Sequence, residues 1–177
     1  MERIGRAGLA ILGWRIEGNL PDLPKLVIIV APHTSNWDFF VGLFVDLALD
    51  LEAHWWGKHT LFRWPVAGWL RAVGGIPVER SASQNAVATT IDAFARAERF
   101  VFALAPEGTR KKAERWRTGF HHVARGANVP IVMAALDYGR RVFVLSEPVC
   151  PTADVEGDIA RMRAWFTQFP GKYPDQF

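Results

Sequence analysis

A chain of 177 residues, 50% hydrophobic and 22% charged, can bury one proper core and is too apolar for a disordered segment. The formal charge of +3 rests on 21 basic residues, 5 Lys and 16 Arg, scattered over many segments without a nucleic-acid-binding motif, which argues against nucleic acid as a partner. The one cysteine, Cys150, excludes an internal disulfide and fits a reducing, cytoplasmic setting.

Residues 2–14 read as a short amphipathic helix, with Ile4, Ile11 and Leu12 on its apolar side and Arg3 and Arg6 among the polar positions. The apolar stretch Ala7 to Trp14 is flanked by arginines, lacks a cleavage site and is far shorter than the roughly 20 residues of a bilayer span. Neither a signal peptide nor a membrane span is expected there. After the turn "NLPDLP", the run "KLVIIVA" (25–31) is continuous, apolar and β-branched, the pattern of a strand covered on both faces. A helix over 36–51 follows; Asp46 and Asp50 interrupt its apolar run, so it reads as buried rather than spanning. A short strand over 54–57 comes next, then a helical stretch broken near Pro65 and the short strand "GIPV".

An alanine-rich helix over 83–97 leads to a buried strand over 99–105. The segment "TGFHHVARGA" reads as a helix closed by Gly126; "VPIVMAAL" and "RVFVLSEP" are two more strands, and 155–169 is the last helix. Alternating apolar strands and helices predict an α/β fold of one domain, 1–177, with a mostly parallel sheet flanked by helices.

Polar groups just past the C-terminal ends of such strands face the crevice where ligands bind. His33 lies two residues beyond the strand 25–31. On a continuous helix a residue five positions on would point elsewhere, but if Ser35 caps a helix starting at Asn36, Asp38 sits in its first turn and can bend back toward His33. Five His and nine Asp give about 0.25 such spacings by chance, so the pair alone is weak. Its functional meaning is a base with an orienter: the carboxylate fixes the imidazole tautomer and leaves the other nitrogen free to accept a proton.

The pattern recurs in "FALAPEGTRKK", where an apolar strand ends at a proline and Glu107, Gly108, Thr109 and Arg110 follow. The glycine permits close backbone approach, and the hydroxyl and guanidinium suit an anion such as phosphate. Lys111, Lys112, Arg115 and Arg117 read as a solvated basic loop. In "GGIPVERS" a third short strand delivers Arg80. Three strand ends bearing polar groups imply one shared crevice.

In this order and spacing, "HTSNWD", "GGIPVER" and "PEGTR" resemble the conserved blocks of the glycerolipid acyltransferases, the 1-acyl-glycerol-3-phosphate acyltransferases and their lysophospholipid and aminolipid relatives, over roughly residues 25–135. The resemblance implies a glycerol-3-phosphate acyltransferase-like fold. It also implies transfer of a fatty acyl group from acyl-CoA or acyl carrier protein to a lysolipid acceptor, with no cofactor beyond that thioester. By the same resemblance His33 is the general base, Asp38 its orienter, and Arg80, Glu107, Gly108, Thr109 and Arg110 bind the acceptor's head. Lys58 resembles a further basic position. The block "PVER" departs from the "FIDR" of many phosphatidate-forming relatives, which leaves a lyso-aminolipid or another lysophospholipid as alternative acceptors and a non-catalytic lipid binder as the rival reading.

No Gly-x-Ser-x-Gly elbow supports an acyl-serine route, and Cys150 beside Pro151 reads as a buried small hydrophobe. His121 and His122 lack any further metal-ligand spacing and read together as a helix surface and a core contact, so no metal is expected. Trp55, Trp56, Phe62, Trp64 and Trp69, interleaved with Lys58, Arg63 and Arg71, suit a lipid headgroup layer, with about half expected in the core. Residues 1–14 are a candidate interfacial helix in the same plane, giving a peripheral protein on the inner face of the cell membrane.

Overall fold

The computed structural model describes residues 1–79 and 83–177, and of Ser83 and Gln84 the backbone only. Its centre is a seven-stranded sheet in the order β1-β7-β6-β2-β5-β3-β4. The strands are β1 (Arg15–Glu17), β2 (Lys25–Ala31), β3 (His54–Lys58), β4 (Gly75–Val78), β5 (Phe100–Leu104), β6 (Ile131–Asp137) and β7 (Val142–Leu145). Every pairing is parallel except β6 with β7. The mostly parallel sheet is the one expected; β1, too short to carry a pattern, is added by pairing with β7.

The β-branched run of β2 fills the centre because both faces are covered. Val27, Ile29 and Ala31 enter a core with Phe94, Phe120, Val123 and Phe166, from α4 (Ser83–Arg96), α5 (Gly119–Ala127) and α6 (Val155–Phe166). Leu26 and Ile28 enter a second core with Leu9 of α1 (Glu2–Leu12) and Val41, Val45 and Ala48 of α2 (Trp37–Leu49). The break near Pro65 separates a 3₁₀ turn over His59–Leu61 from α3 (Ala67–Ala72).

Helix α1 buries a face other than the one its apolar residues suggest. Ile4 and Ile11 are 58% and 85% exposed, whereas Gly5, Gly8 and Leu9 are buried. A Cβ on Gly5 would come within 2.6 Å of the Phe44 carbonyl oxygen and 2.7 Å of Ala48 Cα, so the absence of a side chain lets α1 lie backbone to backbone on α2. Gly13, at φ 71°, then ends α1 and turns Trp14 into the core.

Two further expectations need correcting. Helix α5 continues past Gly126, which packs beside Ile91, and is ended by Asn128 in the left-handed region at φ 53°. Cys150 is exposed: it lies in the irregular stretch after the Ile131–Val149 bridge, outside either core.

Candidate active site

Because β2, β3, β4, β5 and β6 run the same way, their C-terminal ends share one edge of the sheet. His33 leaves β2 there, and its side chain is 27% exposed, while that of Asp38 in the first turn of α2 is 2% exposed. The helix begins one residue later than expected, yet Asp38 bends back as its position required. Its Oδ2 accepts from His33 Nδ1 at 3.0 Å and from the N–H groups of Thr34 at 2.9 Å and Ser35 at 2.8 Å. Ser35 Oγ accepts the Trp37 N–H at 3.2 Å, closing the turn. With these donors converging on it, the carboxylate acts as acceptor, so Nδ1 carries the imidazole proton and Nε2 is left as a proton acceptor.

The register sets Leu104, the last residue of β5, opposite Ile29, so the loop leaving β5 meets the loop leaving β2. Glu107 is buried, and its Oε1 accepts the His33 N–H at 2.9 Å. Its Oε2 has no hydrogen-bond partner. Burial pushes the carboxyl up to about 7, against the lowering effect of the His33 N–H. Glu107 is thus turned to the backbone of the histidine rather than to the open face. Gly108, at φ 63°, makes the turn in a conformation that favours glycine, and the Arg117 side chain lies beside it, where a Cβ would be 3.2 Å from its Cγ. Arg117 is exposed, as a solvated loop requires, and borders the site at Gly108.

Thr109 Oγ1 accepts the Lys111 N–H at 3.2 Å, and Arg110 is exposed. Lys58 ends β3 on the same edge and is also exposed. Arg80 lies outside the described residues. Among the described residues no cluster of three or more His, Cys, Asp and Glu could hold a metal ion. His121 is buried with Nε2 2.8 Å from Asp158 Oδ2 and His122 is exposed, so the first of the pair is the core contact and the second the helix surface.

The acyltransferase family model matches residues 15–137. The chain belongs to the acyltransferase family. The matched span of this acyltransferase holds the blocks on which the sequence resemblance rested, with His33, Asp38, Arg80 and the Glu107–Arg110 loop, and also Lys58. Its fold is similar to the crystal structure of the 1-acyl-sn-glycerophosphate (LPA) acyltransferase, PlsC, from Thermotoga maritima, with a TM-score of 0.67 and 19% sequence identity over 94% of this chain and 75% of that one. No curated sequence matches.

Two parts of the candidate site are not evident from the sequence. Tyr138, directly after β6, donates from Oη to Asp38 Oδ1 at 2.6 Å. The strand-end rule that singles out His33 and Glu107 also applies to "LDYG", and would have found it. The C-terminal segment also reaches the loop that carries His33: the Tyr173 N–H donates to Thr34 Oγ1 at 3.2 Å, and Lys172 Nζ sits 5.2 Å from the Trp37 ring centroid.

Beside the site the acyltransferase exposes aromatic surface. Trp37, Phe40, Trp64 and Trp69 are exposed. Phe39 joins Phe40 and Trp69, with its ring centroid 5.8 Å from both. Trp55 and Trp56 are the inward half of the set, with Nε1 donating to Val73 O at 2.7 Å and Thr90 Oγ1 at 3.2 Å. Among the described residues no helix is long and apolar enough to cross a membrane.

Proposed function

We propose that this acyltransferase moves a fatty acyl group from the thioester of coenzyme A or acyl carrier protein to the hydroxyl of a lysophospholipid, with 1-acyl-glycerol-3-phosphate as the preferred acceptor. The observation that carries the reading is the 3.0 Å contact between His33 Nδ1 and Asp38 Oδ2 at the strand ends, which leaves Nε2 on the partly exposed side chain to work as a base. The likeness in fold to the 1-acyl-sn-glycerophosphate acyltransferase of Thermotoga maritima supports the acceptor.

Nε2 of His33 takes the proton of the acceptor hydroxyl as its oxygen attacks the thioester carbonyl. The tetrahedral intermediate collapses, the carbon–sulfur bond breaks, and the thiolate leaves with the proton from Nε2. Asp38 holds the imidazolium in the interval. Such a base contributes about 10²–10⁴-fold in rate. Direct transfer fits a chain with no Gly-x-Ser-x-Gly nucleophile motif.

Lys58, Arg80, Gly108, Thr109 and Arg110 receive the anionic head, each charged hydrogen bond contributing roughly 1.5–3 kcal/mol. Glu107 serves the head indirectly, by holding the backbone of His33. The exposed aromatics begin on the helical turn that carries Asp38, so the face that meets lipid and the face that does chemistry adjoin. With Lys58, Arg63, Arg71 and the outward Ile4 and Ile11 of α1, they seat the protein peripherally on the inner leaflet.

The test is acyl transfer from labelled acyl-CoA and acyl carrier protein to a panel of lysolipids, wild type beside His33→Ala. Transfer to 1-acyl-glycerol-3-phosphate that is lost in the variant is the expected result. Preference for a lyso-aminolipid would replace the acceptor, and a wild type inert with every pair would replace catalysis by lipid binding.

A further inference from the structure

The two oxygens of Asp38 are occupied from different parts of the molecule. Oδ2 gathers donors from its own loop, His33 Nδ1 and the N–H groups of Thr34 and Ser35. Oδ1 accepts from Tyr138 Oη at 2.6 Å, across a sequence separation of 100 residues. Bonds to one oxygen alone leave a carboxylate free to turn about its Cβ–Cγ bond; a donor on the second oxygen fixes its plane. The plane of Asp38 decides whether Oδ2 stays aligned with Nδ1, and that alignment decides where Nε2 points.

Tyr138 is itself held in place. Its N–H donates to Pro170 O at 3.0 Å, and its ring stands edge-on to Trp14, with centroids 4.9 Å apart and planes at 85°. Trp14 is buried at the end of α1. The hydroxyl therefore meets Asp38 because the strand end, the first helix and the C-terminal segment all fix it there. Burial and the neighbouring Asp38 charge raise the phenol well above the usual tyrosine range, so it stays a donor at any working pH. The family match ends at residue 137, one position before this tyrosine.

We propose that Tyr138 is a positioning residue for acyl transfer, its hydroxyl acting through Asp38 to set the orientation and basicity of His33. The inference rests on the reading of His33 as the general base. A phenol donating to Oδ1 draws negative charge away from Oδ2 and so moderates the pull of Asp38 on the Nδ1 proton. Without it, the carboxylate pulls harder and less steadily: the imidazole becomes more basic and less well aimed. The other titratable groups facing this array are Glu107, whose Oε1 takes the His33 N–H, and Tyr173, which faces Tyr138 from the C-terminal segment.

The experiment compares Tyr138→Phe, which keeps the ring against Trp14, with His33→Ala, Asp38→Asn and the Asp38→Asn/Tyr138→Phe double variant. It measures kcat, KM for both substrates, melting temperature and, in the substrate-free protein, the His33 imidazole titration by nitrogen-15 NMR. The relay expects Tyr138→Phe to lower kcat by about 10-fold with both KM values within about twofold. It expects the His33 pKa to rise by roughly 0.5, and the double variant to be no slower than Asp38→Asn, because the tyrosine acts only through that carboxylate.

Any of three results overturns the proposal: an unchanged kcat, an unshifted imidazole, or the same fractional loss in the Asp38→Asn background. If His33→Ala is inactive while Tyr138→Phe matches wild type, the relay alone fails; if His33→Ala keeps the wild-type rate, the base reading fails and takes the relay with it. Should Tyr138→Phe not fold, 3-fluorotyrosine at both tyrosines, Tyr138 and Tyr173, keeps the ring and strengthens the donor. The relay then expects the His33 pKa to fall, and no change overturns it.

Discussion

The N–H of His33 donates to Glu107 Oε1 at 2.9 Å, so the first polar residue after β2 is tied to the first polar residue after β5. The parallel pairing of these strands, with Ile29 opposite Leu104, brings their exit loops level and makes the bond possible. It also explains why a glutamate can be buried beside a basic loop: its task is internal, and its second oxygen is left without a partner.

That burial gives stability a pH dependence of definite sign. The folded pKa of Glu107 is about 7 against 4.5 for the free group, so between these values the folded chain binds more protons than the unfolded one. Stability is then greatest below the lower value and falls as pH rises through the upper, by about 3 kcal/mol in all. Glu107→Gln keeps an acceptor for the His33 N–H and abolishes the titration. Urea unfolding at about pH 5 and about pH 8 should show the wild type losing stability across this window and the variant holding level; equal slopes would mean that another group titrates there.

Asp158 carries the opposite sign. Burial raises its pKa, but bonds from His121 Nε2 at 2.8 Å and from the Thr152 N–H at 2.6 Å and hydroxyl at 3.1 Å outweigh burial and hold it below 3.8. Arg161 adds an ion pair. The contribution is present above the unfolded value and lost as pH falls through the folded one. Asp158→Asn, which removes the charge joining α6 to α5, should cost roughly 1–3 kcal/mol at neutral pH. The deficit should close in acid below the ordinary aspartate range. A deficit independent of pH would assign the loss to packing rather than charge.

The sequence disclosed whatever depends on strand composition and strand ends. Continuous apolar runs marked β2, β5 and β6, and the prolines after β2 and β5 marked where His33 and Glu107 leave the sheet. It concealed what depends on tertiary pairing. Whether Glu107 faces a ligand or a neighbouring loop is set by the register of β2 on β5, which composition does not encode. Tyr138 finds Asp38 only because β6 lies beside β2. The orientation of α1 is hidden for another reason: hydrophobicity marks the isoleucines, whereas the helix docks through two glycines that no hydropathy pattern weights.

The docking of α1 gives a graded prediction. A Cβ on Gly5 would meet the backbone of Phe44 and Ala48, which cannot yield without moving α2. A Cβ on Gly126 would meet the side-chain end of Ile91, which can rotate away. Gly5→Ala should therefore destabilise the protein by about 1–3 kcal/mol or more through overpacking. Gly126→Ala should cost less, offset by the better helix propensity of alanine. Thermal unfolding of the two variants decides the order, and equal costs would show that α1 can move away from α2 without loss.

The outward isoleucines and tryptophans give the last prediction. Ile11 is 85% and Trp64 93% exposed, so neither supports the core, and replacing them should leave the melting temperature unchanged. If they enter a lipid interface, each side chain buried there contributes up to about 1.5–3 kcal/mol of binding. The double variant Ile11→Ser/Trp64→Ser should then bind anionic vesicles at least about 10-fold more weakly than wild type. Added salt should weaken both alike, since Arg63, Arg71 and Lys58 remain to draw either protein to a negative surface. Equal vesicle partition by the two proteins would place lipid contact elsewhere. Loss of partition with an unchanged melting temperature would assign these side chains to the membrane, and acyl transfer to dispersed short-chain lysolipids should survive, because neither side chain touches His33 or Asp38.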